Sequence, residues 1–184
     1  MASMVRRLFA LTACLAAVAA PVAATAQEDS YFGPQVGLFY PANRTLRNAL
    51  GDSWFSFGAS RIRMFELQER KWAQDWQAIS QRDAGSSIFI LTGSAGYVIP
   101  FASSGSNTQP YFAIRGGLAY IDYAVNTPGG RKSAKRIGVN GNTAVGVNIS
   151  RRFNLEARYD VFSGYDGLTF NGLTLSLRFG MVRF

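Results

Sequence analysis

Apolar and polar residues alternate along most of the chain after residue 30, in runs of about ten residues that end in turn-forming segments. The clearest run covers residues 135–150. Its bulky face carries Ile137, Val139, Thr143, Val145, Val147 and Ile149, and its other face carries Gly138, Asn140, Asn142, Ala144, Gly146 and Asn148. Successive side chains of a β-strand point to opposite faces of the sheet, so this period of two predicts strands.

Eight such runs can be placed along the chain. They cover residues 31–40, 53–67, 72–81, 87–101, 110–124, 135–150, 152–162 and 168–182. Connections at 68–71, 102–109 and 151 are expected at one end of the strands, and those at 41–52, 82–86, 125–134 and 163–167 at the other. Several of these connections carry the Gly, Pro, Asn and Asp residues that favour turns. Short connections between consecutive strands predict antiparallel hairpins.

The second and third runs are less regular than the others. Bulky side chains at 55–57 and at 62–64 have opposite parity, so we expect a β-bulge near Ser60 to reconcile them. In the third run, the spacing of the tryptophans and isoleucine at 72–79 also fits a helix. A strand is preferred there because an even number of strands can close into a barrel.

The face that carries the charges decides between a soluble barrel and a membrane barrel. In residues 153–161, aromatic and aliphatic residues alternate with Glu156, Arg158 and Asp160. A barrel in the outer membrane turns its apolar face toward lipid and its polar face inward, whereas a soluble barrel does the reverse. A small barrel has little room for so many bulky residues inside. We therefore predict an all-β fold, an eight-stranded antiparallel up-and-down transmembrane β-barrel.

This orientation places a set of polar side chains inside the barrel. They are Arg115, Asn140, Asn142, Asn148, Glu156, Arg158 and Asp160. The interior of an eight-stranded barrel is just wide enough for side chains to fill, so we expect a network of ion pairs and hydrogen bonds that plugs the lumen. Buried charges must be paired whatever the protein does. A purely structural network is therefore the simpler interpretation, and gating is the alternative.

The first 26 residues have the features of a cleaved secretory signal peptide. Two arginines precede an apolar stretch at 8–20, and an A-x-A cleavage site follows at 24–26. The apolar stretch is shorter than a membrane-spanning helix. The mature domain is then 27–184. A retained membrane anchor is one alternative, and lipidation at Cys14 in a lipobox-like sequence is another.

The amino-acid composition further limits the kinds of functional site that we expect. The chain has no histidine and one cysteine, which lies in the predicted signal peptide. Disulfides and thiolate metal sites are therefore not expected, and the commonest general base and metal ligand is missing. We expect no catalytic residues, no metal site and no cofactor. The net charge of +8 falls to +6 without the signal peptide, which favours contact with anionic lipid or lipopolysaccharide and not with nucleic acid, because the chain is exported.

Several aromatic residues lie near the ends of the predicted strands. They are Tyr40, Trp54, Phe101, Tyr111, Tyr123, Phe153 and Phe162. Aromatic side chains collect at membrane–water interfaces, so these positions predict interfacial girdles. The alternative is that aromatic residues simply favour strands.

The signal peptide, the eight alternating runs and the aromatic C-terminus together resemble the OmpA/OmpX-like family of small outer-membrane β-barrels of diderm bacteria. The resemblance is one of pattern over residues 27–184, without a diagnostic motif. It implies a monomeric barrel in the bacterial cell outer membrane, surrounded by outer-membrane lipid and lipopolysaccharide. Enzymes of this kind rely largely on histidine, which this chain lacks.

In that family, the last strand ends in an alternating stretch with a terminal aromatic residue that the outer-membrane assembly machinery reads. The resemblance implies that the corresponding signal here consists of Leu173, Leu175, Leu177, Phe179 and Phe184. Phe184, however, has the parity of Arg178 and not of the leucines. Either the last five residues extend past the signal, or a bulge near Gly180 resets the register.

The sequence thus predicts an integral outer-membrane barrel with a structural or surface-interaction role, a lumen filled by polar side chains and no catalysis. The alternatives are a narrow passive or gated channel for small solutes and a soluble periplasmic ligand-binding barrel. A basic surface loop is also predicted, formed by Arg131, Lys132, Lys135 and Arg136. It could bind lipopolysaccharide phosphates or a host surface, or it could be a simple solvated hairpin tip.

Overall fold

The structure is a computed structural model that describes residues 31–61, 71–101, 108–149, 153–179 and 182–183. Within these ranges, nine strands and one short helix follow one another. They are β1 (Tyr31–Pro41), α1 (Arg44–Leu50), β2 (Trp54–Arg61), β3 (Lys71–Asp83), β4 (Ser86–Pro100), β5 (Thr108–Thr127), β6 (Gly130–Ile149), β7 (Phe153–Phe162), β8 (Gly172–Phe179) and β9 (Val182–Arg183). The segment at 72–81 is therefore a strand, as predicted, and not a helix. Within the described ranges, no helix is long and apolar enough to cross a membrane.

The strands close into a barrel. Each strand pairs antiparallel with the next along the chain, and β1 pairs with both β2 and β8. β9 is a two-residue continuation of β8 that also pairs with β1. The predicted eight-stranded antiparallel up-and-down β-barrel is confirmed. Closure leaves no free sheet edge around the wall of the barrel.

The two ends of the barrel differ. The proximal end, where β1 begins and β8 ends, is also the end at which β2, β4 and β6 lead into parts of the chain outside the described ranges. The distal end carries α1, the turns between β3 and β4 and between β5 and β6, and the connection at 163–171. The turn after β3 places Ala84 and Gly85 at positive φ, which matches the twist of a two-residue hairpin.

The outer face of the wall is apolar. On β6, Ile137 is 72% exposed and Val139 is 64% exposed. From Ile137 to Ile149, at about 3.3 Å per residue and a tilt of about 40°, the band rises about 30 Å along the barrel axis. This height matches the hydrocarbon core of a bilayer. The band ends where Lys135 and Asp122 form an ion pair on the outer face, with Nζ and Oδ2 3.3 Å apart.

The interior is divided into layers. A large apolar cluster fills the distal part and includes Phe39, Trp54, Ile88, Ile90, Ile121, Tyr123, Phe162 and Phe170. A smaller cluster around Tyr111 and Val98 lies toward the proximal end. Polar and charged side chains occupy the layer between the two clusters. The lumen is therefore polar in its middle and apolar at its distal end.

Helix α1 closes the distal end, and it lies in the predicted connection at 41–52. The Asn43 side chain caps the helix by accepting hydrogen bonds from the backbone N–H groups of Thr45 and Leu46, at 2.9 and 3.4 Å. Leu46 and Leu50 are completely buried in the distal apolar cluster. The indole Nε1 of Trp54 donates to the carbonyl oxygen of Gly51 at 3.1 Å and fixes the chain after the helix.

The inward position of several aromatic residues corrects the predicted girdles. Tyr40, Phe101 and Phe153 are exposed on the outer face, as expected of girdle residues. The other four members, Trp54, Tyr111, Tyr123 and Phe162, are buried inside the barrel. Their parity is that of the inward residues of their own strands, so they fill the lumen and cannot reach an interface.

The register answers two questions about bulges. β2 pairs with β1 without a break as far as Arg61, opposite Phe32, so the bulge predicted near Ser60 is absent from the described part of β2. The residues at 62–64 lie outside the described ranges.

The C-terminal strand shows a change of register with β1. Gln35 lies opposite Arg178, and Phe32 lies opposite Val182. Three steps along β1 thus face four steps along the C-terminal segment, so the register with β1 shifts by one residue between Arg178 and Val182, which favours the predicted bulge over a simple extension.

Candidate functional site

The middle layer of the lumen holds three arginines and three carboxylates. They are Arg115, Arg158 and Arg178, together with Asp75, Glu156 and Asp160, and each is at most 3% exposed. They come from β3, β5, β7 and β8, because these side chains have the inward parity on each strand. Their formal charges cancel when all six are ionised. We call these six residues the lumenal charge cluster.

Arg115 and Glu156 form a two-pronged ion pair. Nη1 of Arg115 donates to Oε1 of Glu156 at 3.1 Å, and Nη2 donates to Oε2 at 2.8 Å. The phenol of Tyr111 donates to the same Oε2 at 2.7 Å. Such a fork is the strongest geometry for an arginine–carboxylate pair. It connects β5 with β7 across the intervening β6.

Arg158 connects opposite walls of the barrel. Its Nη1 donates to Oδ1 of Asp75 on β3 at 2.8 Å, and its Nε donates to Oδ2 of Asp160 at 3.2 Å. Its Nη2 donates to the side-chain oxygen of Gln77. Thr174 on β8 donates to Asp160 at 2.8 Å. The guanidinium thus links β7 with β3, all of its nitrogens have partners, and Asp160 extends the network to β8 through Thr174.

Arg178 is more loosely held. Its Nη2 donates to Oε1 of Gln35 at 3.1 Å, and it lies 3.9 Å from Oε2 of Glu156 and 4.0 Å from Oδ2 of Asp75. Its Nε and Nη1 have no hydrogen-bond partner among the residues that the structure describes. The positive charge of Arg178 is therefore balanced by the combined negative potential of two carboxylates and not by one close ion pair.

The seven polar residues predicted for the lumen are all buried and carry inward parity. Arg115, Glu156, Arg158 and Asp160 belong to the lumenal charge cluster. Asn142 accepts from Nη1 of Arg115 at 3.4 Å, and Asn148 accepts from Nδ2 of Asn154 at 2.6 Å. Asn140 lies apart, near the distal apolar cluster, and its amide has no hydrogen-bond partner within the described ranges.

The prediction omitted several members of the network. Asp75, Gln77, Tyr111, Thr174, Arg178 and Gln35 all contribute polar atoms to it. Parity could have found Thr174 and Arg178, since both alternate with the leucines of the last strand. Asp75 and Gln77 lie in the run whose spacing also fitted a helix. In the described part of the chain, no group of three or more acidic residues could hold a metal ion.

The residues of the predicted assembly signal and of the predicted basic loop lie outside the lumen. Leu173, Leu175, Leu177 and Phe179 of the assembly signal lie on the outer face, and Phe184 lies outside the described ranges. The predicted basic loop is not a loop. Arg131, Lys132, Lys135 and Arg136 lie within β6, because its pairing with β5 continues to Thr127 and Gly130. These four residues belong to the tip of a long hairpin that extends past the apolar band.

The lumenal charge cluster predicts a strong dependence of stability on charge balance. Arg115→Met should lower the free energy of unfolding by about 3–5 kcal/mol, because it leaves Glu156 buried without its close partner. The double variant Arg115→Met with Glu156→Gln restores the balance and should regain more than half of that loss. Urea titration of the barrel refolded in lipid vesicles measures both. A double variant no more stable than Arg115→Met would contradict the charge-balance account.

The fold is similar to that of several solved outer-membrane proteins. The N-terminal β-barrel domain of Pseudomonas aeruginosa OprF matches with a TM-score of 0.55 and 12% identity, over 83% of this chain and 98% of that chain. Ail, the attachment invasion locus protein of Yersinia pestis, matches with a TM-score of 0.50 and 13% identity, over 85% and 97%. The outer membrane enzyme PagL matches with a TM-score of 0.50 and 12% identity, over 82% and 99%.

No protein-family model and no curated protein sequence matches this chain. The sequence identities to the three solved structures are low, and the similarity extends over nearly the whole of each of their chains. The chain therefore shares the fold of the small outer-membrane β-barrels.

Proposed function

We propose that this protein is an integral barrel of the bacterial outer membrane, inserted after export with a cleaved signal peptide. The observation that carries the proposal is the distribution of polarity across the wall. The outer face is an apolar band about 30 Å high, whereas the buried charges lie inside. Hydrocarbon tolerates a β-structure only when it is closed, and this barrel is closed. The fold shared with outer-membrane barrels supports the same conclusion.

The outer face also weighs against the soluble alternative. A soluble barrel that binds an apolar ligand needs an outer surface that water can solvate. Here Leu118, Ile137 and Val139 are each more than 60% exposed on neighbouring strands. Monomeric soluble proteins rarely expose continuous apolar surfaces of this kind. The interior, in turn, is occupied by the protein's own side chains.

The filled lumen favours a structural or surface-interaction role over a channel. The lumenal charge cluster crosses the middle of the barrel, and the distal apolar cluster with helix α1 lies above it. A solute would have to displace both. Disrupting a buried ion pair costs several kcal/mol, and the completely buried side chains of Trp54, Leu46 and Leu50 would have to move as well.

A non-catalytic role is also proposed. One protein of similar fold, PagL, is an outer membrane enzyme, so the fold alone does not decide the question. The carboxylates of the lumen are held in ion pairs with arginines, and the sequence has no histidine to serve as a general base. We propose a monomer that contacts lipid and lipopolysaccharide through its outer face and is inserted by the outer-membrane assembly machinery.

Membrane location is tested by fractionation combined with gel mobility. The protein should be found in the outer-membrane fraction, and unboiled samples should migrate differently from boiled samples, because a closed barrel resists detergent until it is heated. Recovery from the soluble periplasmic fraction without a mobility shift would contradict the proposal. It would favour the soluble ligand-binding barrel.

Conductance separates the closed barrel from the channel. In planar lipid bilayers, we expect no stable open-channel current from the unaltered protein, because side chains fill the lumen. Arg115→Ala removes part of the filling but leaves the distal apolar cluster in place, so it should produce only rare, brief openings. A large stable conductance that Arg115→Ala leaves unchanged would show that the lumenal charge cluster is not a plug.

A further inference from the structure

The tip of the β5–β6 hairpin carries a free strand edge. β6 pairs with β5 from Gly130 to Ile149, but its pairing with β7 begins only at Asn140, opposite Phe162. The first ten residues of β6 therefore have a strand neighbour on one side only. Residues 130–135 of this segment lie past the apolar band, since the band ends between Lys135 and Ile137, and most of them are exposed.

The hydrogen-bond pattern shows which backbone groups face the free edge. The backbone N–H of Ser163 donates to the carbonyl oxygen of Val139 at 3.1 Å, and the hydroxyl of Tyr165 donates to that of Ile137 at 3.0 Å. The backbone N–H of Val139 donates to Oγ of Ser163 at 3.1 Å. Odd-numbered residues of β6 thus point their backbone groups away from β5, because these directions alternate along an antiparallel strand.

Among the described residues, the connection after β7 binds backbone groups of the edge at Ile137 and Val139, and Nζ of Lys132 donates to the carbonyl oxygen of Asp166 at 2.6 Å. The next odd-numbered residues toward the tip are Arg131, Ser133 and Lys135, and their backbone groups, which face the free edge, have no hydrogen-bond partner among the described residues. The edge therefore offers three N–H donors and three carbonyl acceptors in an extended row. A row of this kind is a template for an additional strand.

The charges along this edge determine which strand could pair with it. Arg131, Lys132, Lys135 and Arg136 fall within six residues, on both faces of the hairpin. Asp122 pairs with Lys135 and offsets one of these four charges, so the net charge of the edge stays positive. A second copy of the same edge would bring like charges together, and like charges opposite each other on paired strands are destabilising. Opposite charges across a pair are stabilising. The charges of this edge therefore disfavour pairing with a second copy of the same edge and favour pairing with an acidic strand.

We infer that the free edge of β6 binds an extended acidic peptide segment of another protein by adding it as a strand next to Arg131–Lys135. The inference deepens the surface-interaction role and rests on it. The partner's backbone would pair with Arg131, Ser133 and Lys135, and acidic side chains at every second position would lie beside the basic side chains of one face. Backbone pairing supplies affinity in this mode, and the alternating side chains supply specificity.

Ser133→Pro tests the backbone part of the inference. Proline removes the N–H that faces the free edge and leaves the β5 ladder intact, since the neighbouring even-numbered residues make those bonds. The matched control Ser133→Ala removes the same hydroxyl but keeps the N–H. The probe is a fluorescein-labelled ten-residue peptide of alternating glutamate and threonine, titrated with the full chain in detergent micelles and followed by fluorescence anisotropy.

We expect the unaltered barrel and Ser133→Ala to bind the probe equally, and Ser133→Pro to bind it at least tenfold more weakly. A peptide of alternating lysine and threonine should not bind. Equal binding by Ser133→Pro would overturn the inference, because attraction through side-chain charge alone, as for lipid phosphates, does not need the backbone. Absence of binding to the unaltered barrel would overturn it as well.

A variant of the probe keeps the test independent of the folding of Ser133→Pro. Methylating every backbone nitrogen of the acidic peptide removes the donors of both of its edges and leaves its charge unchanged. The methylated peptide should bind the unaltered barrel at least tenfold more weakly, and equal binding would contradict strand addition. The heat-dependent mobility shift of the same samples reports the closed barrel separately, so failure of the inference and failure of the proposed membrane barrel are distinguishable.

Discussion

The structure depends on the pairing of three buried arginines with three carboxylates inside a closed wall. Neither lipid nor an apolar core accepts an unpaired charge, so the arginines of β5, β7 and β8 need partners within the lumen. The close pairs join strands that are not neighbours in the sheet: Arg115 on β5 with Glu156 on β7, and Arg158 on β7 with Asp75 on β3. The same contacts that satisfy the charges also hold opposite walls together, so closure and charge balance support each other.

Apolar residues then fill the parts of the lumen that the charges leave. Helix α1 turns Leu46 and Leu50 down onto the distal cluster, and Gln81 of β3 donates to the carbonyl oxygen of Leu50 at 3.1 Å. The connection at 163–171 is joined to the helix region by a hydrogen bond from Asn43 to Thr169 at 3.1 Å. The distal end is therefore a packed cap. With the lumen occupied, the surface beyond the apolar band is the part of the molecule best placed to meet other molecules.

Much of this architecture could be predicted from the period of two. Alternation gives each strand, and the side on which Glu156, Arg158 and Asp160 fall determines which face is inside. The parity of Trp54, Tyr123 and Phe162 also places them inside the barrel, but their closeness to strand ends suggested interfacial girdles. Closeness to a strand end says how far along the barrel axis a side chain lies, whereas parity says whether it lies on the outer face or in the lumen. Parity decided the outcome in each case.

Contacts between distant parts of the chain could not be predicted in this way. Asp75 and Arg158 are separated by 83 residues, and no local pattern connects them. Helix α1 has seven residues, too few for a periodic signal, although Asn43 is a typical capping residue. The free edge of β6 follows from the difference in length between β6 and β7, which becomes visible once the register of both neighbours is known.

The central claim is that the apolar face of the wall contacts lipid and the opposite face does not. The three tryptophans test it directly, because Trp76 has outward parity and packs edge-on against the exposed Phe57, whereas Trp54 is completely buried inside. Variants that keep one of the two and replace the other tryptophans with phenylalanine can be refolded into vesicles of brominated phospholipid. Strong quenching of Trp76 fluorescence with little quenching of Trp54 is the predicted result. Quenching of Trp54 with none of Trp76 would contradict it and would mean that the strands face the other way.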